Sequence, residues 1–349
     1  VSERHYPGGG LAKGGGGLKV SGRSQLIERF RQKRICVVGD VIADIYIYGK
    51  PHKLSREAPV LVIKYEEERI YPGSAGNTVN NLLALGAHVF PISCVGTDPA
   101  GNALIEQFSA HEKIHLEGLV RYEGRTVTKT RILAGDTHTS KQQVIRVDRE
   151  NEEPITGAVR TELKRRLAET IPLVDAVVLS DYEYGLMDRE IMGLARACAR
   201  EKIVVGDSRY NLRDLTGITL ITPNESEAYA LAGLDDTRGV EEVGSAIMAA
   251  MDVSALLITR GNKGMSLFLR DGSMHHIPIS GTDEIADVTG AGDTVAACVT
   301  LALASGADFY TASRIANCAA GIVVMKRGTA VATLDELKQV IEEDGTVDS

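Results

Sequence analysis

The stretch Asp287-Val288-Thr289-Gly290-Ala291-Gly292-Asp293-Thr294 carries residue types that could bind an anion and move a proton. It follows a strand-like run, Met274 to Ile279, and a short polar loop. It leads into Val295 to Ala304, which is small, apolar and long enough for a buried helix. Gly290, Ala291 and Gly292 therefore stand where a loop becomes a helix. Small residues there let backbone N–H groups approach a ligand, and a helix N-terminus adds unpaired donors and a partial positive charge. Such a turn suits a transferring phosphoryl group. Asp293 falls in the first helical turn. A carboxylate there either stabilises the helix or takes a proton from an attacking hydroxyl.

Other residues could serve the same chemistry. Arg34 to Asp40 is a mostly apolar run that reads as a buried parallel strand, with Asp40 at its end and Asp44 just beyond. Ligands of open α/β sheets gather at such ends. Pro72-Gly73-Ser74-Ala75-Gly76-Asn77 opens a second glycine-rich helix start, running to Gly86, and Asn77 there can bond a sugar hydroxyl. Lys129, Arg131, Gln142, Gln143 and Arg146 cluster in a β-rich region, either as the solvated face of a small sheet or as a lid over a polar substrate. Asn224 and Glu227 stand at i, i+3 at a helix start and share one face. That pattern fits a capping box, and equally a magnesium site beside nucleotide phosphates. Asn317 to Gly321 supplies small residues that either admit a flat ring or allow close helix packing.

The elements that must position these residues follow from periodicity. Strand 89–95 and helix 100–111 come first, and from Thr156 onward helices 156–170, 187–199 and 240–251 alternate with strands 174–180, 203–206, 218–221 and 254–259. Two apolar helices, about 291–306 and 309–325, close the chain. This rhythm predicts a mostly parallel sheet with helices on both faces. Polar residues recur where strands end, at 40, 181, 207, 224 and 259, which predicts a site along one sheet edge. Tyr46 to Tyr65 reads as short antiparallel strands broken at Pro51 and Pro59.

Composition bounds the rest. The 349 residues are 44% hydrophobic and 25% charged, ordinary for a globular chain, and a net charge of −8 disfavours a nucleic-acid surface. The five cysteines lie in apolar runs without CxxC spacing and read as buried hydrophobes. No run reaches the length that spans a bilayer, so a cytoplasmic protein is expected. Residues 1–22 are glycine-rich and read as a disordered leader before one domain over 23–349. No Walker lysine follows those glycines, and no G-x-G-x-x-G follows the first strand, which argues against a dinucleotide oxidoreductase.

Over about residues 34 to 340 the chain resembles the ribokinase/PfkB family of carbohydrate kinases. The residues that carry the resemblance are Gly39-Asp40 to Asp44, Gly73 to Asn77, Asn224 to Glu227, Thr259-Arg260-Gly261 to Gly264, and Asp287 to Asp293. Leu54 to Val60, Thr128-Lys129, Gln142 to Asp148 and Leu179-Ser180-Asp181-Tyr182 bring it nearest to the branch that phosphorylates heptose 7-phosphate. The resemblance implies a ribokinase-like fold with a small β lid, about 44–66 and 118–148, through which two copies would pair. It implies ATP, Mg²⁺ and a monovalent cation such as K⁺ as cofactors, and a sugar or sugar phosphate as substrate. It implies Asp293 as general base, with the amides of Gly290, Ala291 and Gly292 as the anion hole. Asp40, Asp44, Gly73 and Asn77, with Arg131, Arg146 and Asp181, would hold the sugar. Asn224 and Glu227 would organise Mg²⁺ and phosphates, Asp287 the monovalent cation, and Thr259, Gly261, Gly264 and Asn317 the nucleotide. Ending at Ser349, the chain would carry the kinase half alone of two-part heptose enzymes. Three features depart from that branch: Glu183-Tyr184-Gly185 stands for Gly-Lys-Gly, Asp207-Ser208-Arg209 for Asp-Pro-Lys, and the loop Ala134 to Lys141 is longer. The other readings are the same chemistry on another sugar, sugar phosphate or nucleoside, and a non-catalytic sensor on a kinase fold.

Overall fold

Alternation along the first strand decides where the helices go. In the computed structural model, which describes residues 20–135, 141–150, 155, 157–209, 211–281, 287–326 and 328–347, strand β1 (Arg34–Gly39) is buried at every position after Arg34. Ile35 and Val37 enter one apolar cluster, Cys36 and Val38 another. Successive side chains of a strand point to opposite faces, so β1 must be covered on both. The chain then gives β2 (Val41–Leu54), β3 (Leu61–Ser74), β4 (His88–Gly96), β5 (Leu119–Tyr122), β6 (Thr128–Ala134), β7 (Gln142–Arg149) and β8 (Ala176–Asp181). It continues with β9 (Ile203–Ser208), β10 (Ile218–Ile221), β11 (Val253–Thr259), β12 (Met265–Leu269) and β13 (Met274–Ile277).

Nine strands form one sheet in the order β13-β12-β11-β10-β9-β8-β1-β4-β5, parallel except at β12 and β13. One face is covered by α1 (Val20–Glu28), α2 (Ala75–Ala84), α3 (Pro99–Ser109), α8 (Ala291–Ala304), α9 (Phe309–Val324) and α10 (Leu334–Val347). The other is covered by α4 (Gly157–Thr170), α5 (Arg189–Cys198), α6 (Glu225–Ala232) and α7 (Val240–Ala250). Helix α8 is buried from Asp293 through Leu303, as a helix apolar all round must be. The fold is the ribokinase-like α/β arrangement expected from the sequence. Cys36, Cys198, Cys298 and Cys318 are buried and Cys94 partly so, and all five are free thiols.

A second sheet, β3-β2-β6-β7, grows directly from the first, because β1 passes into β2 at Asp40. Two expectations are corrected here. Residues 46–65 are not short broken strands: β2 and β3 form one hairpin of 14-residue strands, with Pro51 at a register shift and Pro59 in the connecting turn. A bulge tolerates the missing N–H that would break a regular ladder. The segment 118–148 is divided: β5 pairs with β4 at the edge of the large sheet, and only β6 and β7 join the small one. The expected leader lies outside the described residues up to 19, while residues 20–22 already belong to α1. Residues 136–140 of the longer loop also lie outside the described residues.

Gly39 stands where β1 meets β8, and a Cβ there would come within 2.0 Å of the Ser180 carbonyl oxygen. Backbone at the centre of a sheet cannot yield as a flexible side chain can. Gly39→Ala is expected to cost about 2 kcal/mol or more, read as a lowered melting temperature; an unchanged melting temperature would contradict the packing described.

Candidate active site

The C-terminal ends of the parallel strands and the start of α8 enclose a cleft of about 990 Å³. Asp293 is at its floor. Gly290 caps the helix with φ of 81°, a conformation that favours glycine, and a Cβ there would meet Asn77 Nδ2 at 2.4 Å. The close approach lets Asn77 Nδ2 donate to Asp293 Oδ2 at 2.9 Å. Thr78 Oγ1 donates to Asp293 Oδ1 at 3.1 Å, and the Tyr182 hydroxyl donates to the same oxygen at 2.9 Å. Burial pushes the Asp293 carboxyl up to about 6, although these three donors pull it down. A carboxylate titrating there is ionised at neutral pH and more basic than an exposed one, which suits a general base.

Asp40 does different work from that expected. Its carboxylate accepts from the backbone N–H groups of Tyr182 at 3.0 Å, Tyr184 at 3.2 Å and Leu186 at 3.4 Å. It does not line the cleft; it fixes the loop after β8, in which Glu183 takes a φ of 65° and Gly185 one of 88°. Burial raises Asp40 to about 6. Asp181, which does line the cleft, is spent on Ser208 Oγ at 2.8 Å, Asn211 Nδ2 at 3.0 Å and the Glu183 N–H, joining the ends of β8 and β9.

The second sheet supplies cations. Arg131 reaches Asp44 at 2.5 Å in a nearly buried pair, and Asp44 fits because Gly73 has no side chain: a Cβ there would lie 2.3 Å from Asp44 Oδ2. Burial pulls Arg131 down, but Asp44, with Tyr46 and Asp148, more than offsets this and keeps it above its ordinary range. Lys129 Nζ lies 5.7 Å from the Tyr182 ring centroid and 5.4 Å from that of Tyr184, and burial lowers its pKa. Arg146 is corrected: it faces Arg131 across β6 and β7, but one strand farther out, exposed, paired with Asp148 at 2.9 Å and outside the cleft lining.

On the opposite wall, Asn224, Glu227 and Thr259 line the cleft, and Asn224 bridges to Thr259. The capping box is present: Asn224 Oδ1 accepts from the Glu227 N–H at 2.9 Å, and Glu227 Oε2 from the Asn224 N–H at 2.9 Å. Burial raises the Glu227 carboxyl, and it raises Asp207 strongly, with the charges of Asp293 and Glu227 adding to it. Among the described residues no three acidic or thiol groups converge to hold an ion alone. Magnesium fits such a wall, because it takes one or two carboxylates and completes its shell with phosphate and water.

Three expected nucleotide residues, Gly261, Gly264 and Asn317, and the expected cation residue Asp287 are not among the residues that line the cleft. Gly264 packs against Ile277 O, where a Cβ would come within 2.1 Å; Gly261 adopts φ of 56° in the adjoining turn; Asn317 Nδ2 donates to Pro278 O at 2.7 Å. Asp287 accepts from the N–H groups of Thr289 and Gly328 at 2.9 and 3.0 Å; burial pushes its carboxyl up, but these bonds hold it below the usual carboxylate range. Of the expected anion hole, Gly290 and Gly292 line the cleft, while the Ala291 N–H donates to Val288 O at 3.3 Å. Tyr182, Thr78, Asp207 and Arg209 complete the site without having been singled out as site residues, although the aspartate at 207 was visible as a strand end.

Residues 32–336 match the pfkB family carbohydrate kinase. The chain belongs to that family. It is therefore a carbohydrate kinase, a phosphotransferase. It is 41% identical over 322 residues to the bifunctional protein HldE of Caulobacter vibrioides, covering 90% of this chain and 64% of that protein. It is 38% identical over 318 residues to HldE of Geobacter metallireducens, covering 89% and 64%. The chain thus spans just under two thirds of the length of these relatives. Among solved structures, phosphofructokinase-2 of Escherichia coli in complex with potassium superposes with a TM-score of 0.74 at 15% identity, covering 89% of this chain and 99% of that one. Arabidopsis thaliana ribokinase complexed with ribose and ATP superposes with a TM-score of 0.68 at 20% identity, covering 89% and 99%. Among the described residues no helix is long and apolar enough to cross a membrane.

The two glycines of the pfkB-type turn are expected to fail differently. Gly290→Ala should cost stability and displace Asn77 from Asp293. Gly292 has nothing within 4 Å of an added Cβ, so Gly292→Ala should melt like the wild type yet lose about tenfold or more in turnover, since only the ligand competes for that space. Wild-type turnover in Gly292→Ala would show that no ligand sits there.

Proposed function

We propose that the chain transfers the γ-phosphoryl group of ATP to the anomeric hydroxyl of D-glycero-β-D-manno-heptose 7-phosphate, giving the 1,7-bisphosphate. The observation that carries this reading is the single cleft that unites Asp293, Gly290 and Gly292 at the α8 N-terminus with the cations Lys129, Arg131 and Arg209. Asp293 takes the proton of the sugar hydroxyl. The start of α8 receives the phosphoryl group with oriented N–H groups that need no reorganisation. Lys129, Arg131 and Arg209 receive the phosphate at the far end of the sugar. Asn77 also stays within reach of the sugar. The similarity to the HldE proteins supports this substrate.

Asn224 and Glu227 would hold the magnesium ion, which supplies charge neutralisation between the phosphates. The turn carrying Asp287 would hold a monovalent cation. The second sheet would act as a lid that excludes water from the reacting groups. Its exposed apolar residues, including Leu54, Tyr65, Val144, Ile145 and Val147, support pairing of two copies through this sheet. Tyr184 replaces a lysine found in related heptose kinases. The nearby Lys129 Nζ, at 5.4 Å from its ring centroid, supplies the positive charge from the lid side.

ADP release measured with MgATP against heptose 7-phosphate, fructose 6-phosphate, fructose, ribose and adenosine tests the assignment. Turnover is expected on the heptose phosphate, and Asp293→Asn should lose about 10²–10⁴-fold in turnover while still binding ATP. Turnover on another member of the panel would move the substrate. Near-wild-type turnover in Asp293→Asn would remove the general base from the account.

A further inference from the structure

An ionised carboxylate offers about four lone-pair directions to donors. At Asp293 the described residues take three. Two lie on Oδ1, from Thr78 Oγ1 at 3.1 Å and the Tyr182 hydroxyl at 2.9 Å; one lies on Oδ2, from Asn77 Nδ2 at 2.9 Å. On the kinase reading above, the sugar hydroxyl needs the direction that remains. We propose that Tyr182 is a positioning residue for the general base: its hydroxyl occupies Oδ1 of Asp293 and leaves Oδ2 as the atom that accepts the sugar proton. The proton then passes from the sugar oxygen to Oδ2. The freed electron pair of that oxygen forms the bond to the γ-phosphorus, and the bond from that phosphorus to the bridging oxygen breaks, its pair leaving on ADP.

Tyr182 is held for this task from several sides. Its backbone N–H is fixed by Asp40 Oδ2 at 3.0 Å, and its ring lies 5.7 Å from Lys129 Nζ. Burial and the charges of Asp293 and Asp207 keep its hydroxyl well above the ordinary tyrosine range, so it remains a donor at every working pH and cannot serve as the base. The groups around Asp293 are Asn77 and Thr78 from α2, Asp44 from β2, Asp207 from β9 and Tyr182, with Arg209 and Lys129 beside the tyrosine. Among the described residues Asn77, Thr78 and Tyr182 are the ones that donate to the carboxylate, and each favours its ionised form. Removing the Tyr182 hydroxyl must therefore make Asp293 harder to ionise.

Tyr182→Phe keeps the ring under Lys129 and deletes only the donor. In substrate-free protein labelled at aspartate ¹³Cγ, with Asp293→Asn identifying the resonance, the Asp293 midpoint should rise by about half a unit to one unit. In turnover, the loss in kcat/KM should be about two- to fivefold near pH 6, approach about three- to tenfold well below it, and shrink as the pH rises, because ionisation restores the base. Thr78→Val, which deletes the other Oδ1 donor, should shift the same midpoint in the same direction and serves as the readout should Tyr182→Phe not fold. A midpoint that stays or falls, or a loss equal at every pH, would overturn the proposal. Absence of turnover by the wild-type protein on any sugar would instead count against the substrate reading, with the carboxyl titration still deciding the role of Tyr182.

Discussion

Keeping a charged carboxylate out of water at the head of a buried helix is costly, and much of this structure meets that cost. Asp293 is 4% exposed, and α8 behind it is buried through Leu303. An unpaired ion in that place would lose several kcal/mol of hydration. The helix N-terminus offsets part of this. The remainder comes from three side-chain donors that belong to two distant parts of the chain, α2 and the loop after β8. Those parts meet because β1 lies between β4 and β8 in the sheet, so the architecture and the site depend on one another. The balance leaves the carboxylate ionised but basic.

The same logic explains why Asp40 and Asp181 are buried at strand ends yet turned toward backbone and neighbouring side chains. They hold the loops that hold the active groups. Asp40 sits at the point where the first sheet becomes the second, so it fixes both the Tyr182 loop and the root of the β2–β3 hairpin. Arg131 and Lys129 are then carried to the cleft by a sheet that continues from the first at that point. The base and the cations thus come from two different sheets and meet in one cleft.

Much of this was legible in the sequence. Strand 218–221 is found where its four apolar residues stand between turn signals, and the recurrence of polar residues at strand ends does mark one edge. The Gly290–Asp293 turn is a helix start as its spacing requires. What periodicity could not carry is pairing between distant residues. Tyr182 and Asp293 are 111 residues apart, and nothing in either local pattern links them. For the same reason the bonds from Asp40 to the loop after β8, 142 to 146 residues away, could not be read from its strand end. Arg146 looked like a partner of Arg131 because alternation gives the face of a strand but not its distance from the cleft. Strand β5 was assigned to the small sheet because its residues are those of any edge strand, and only its neighbour β4 decides where it belongs. Gly264 shows the same limit: the Ile277 carbonyl oxygen, 2.1 Å from where a Cβ would stand, accounts for the glycine by packing that no local pattern shows.

The central claim is that a buried carboxylate at the start of α8, raised by desolvation, is the base of a phosphoryl transfer. The pH dependence of kcat/KM in the wild-type protein tests it most directly. A base raised to about 6 predicts activity that climbs about tenfold per unit on the acid side, bends near pH 6 and is level above pH 7. In Asp293→Asn that limb should vanish together with the activity. A profile flat from pH 5 to 8, or a limb near 4 that persists in Asp293→Asn, would contradict the account.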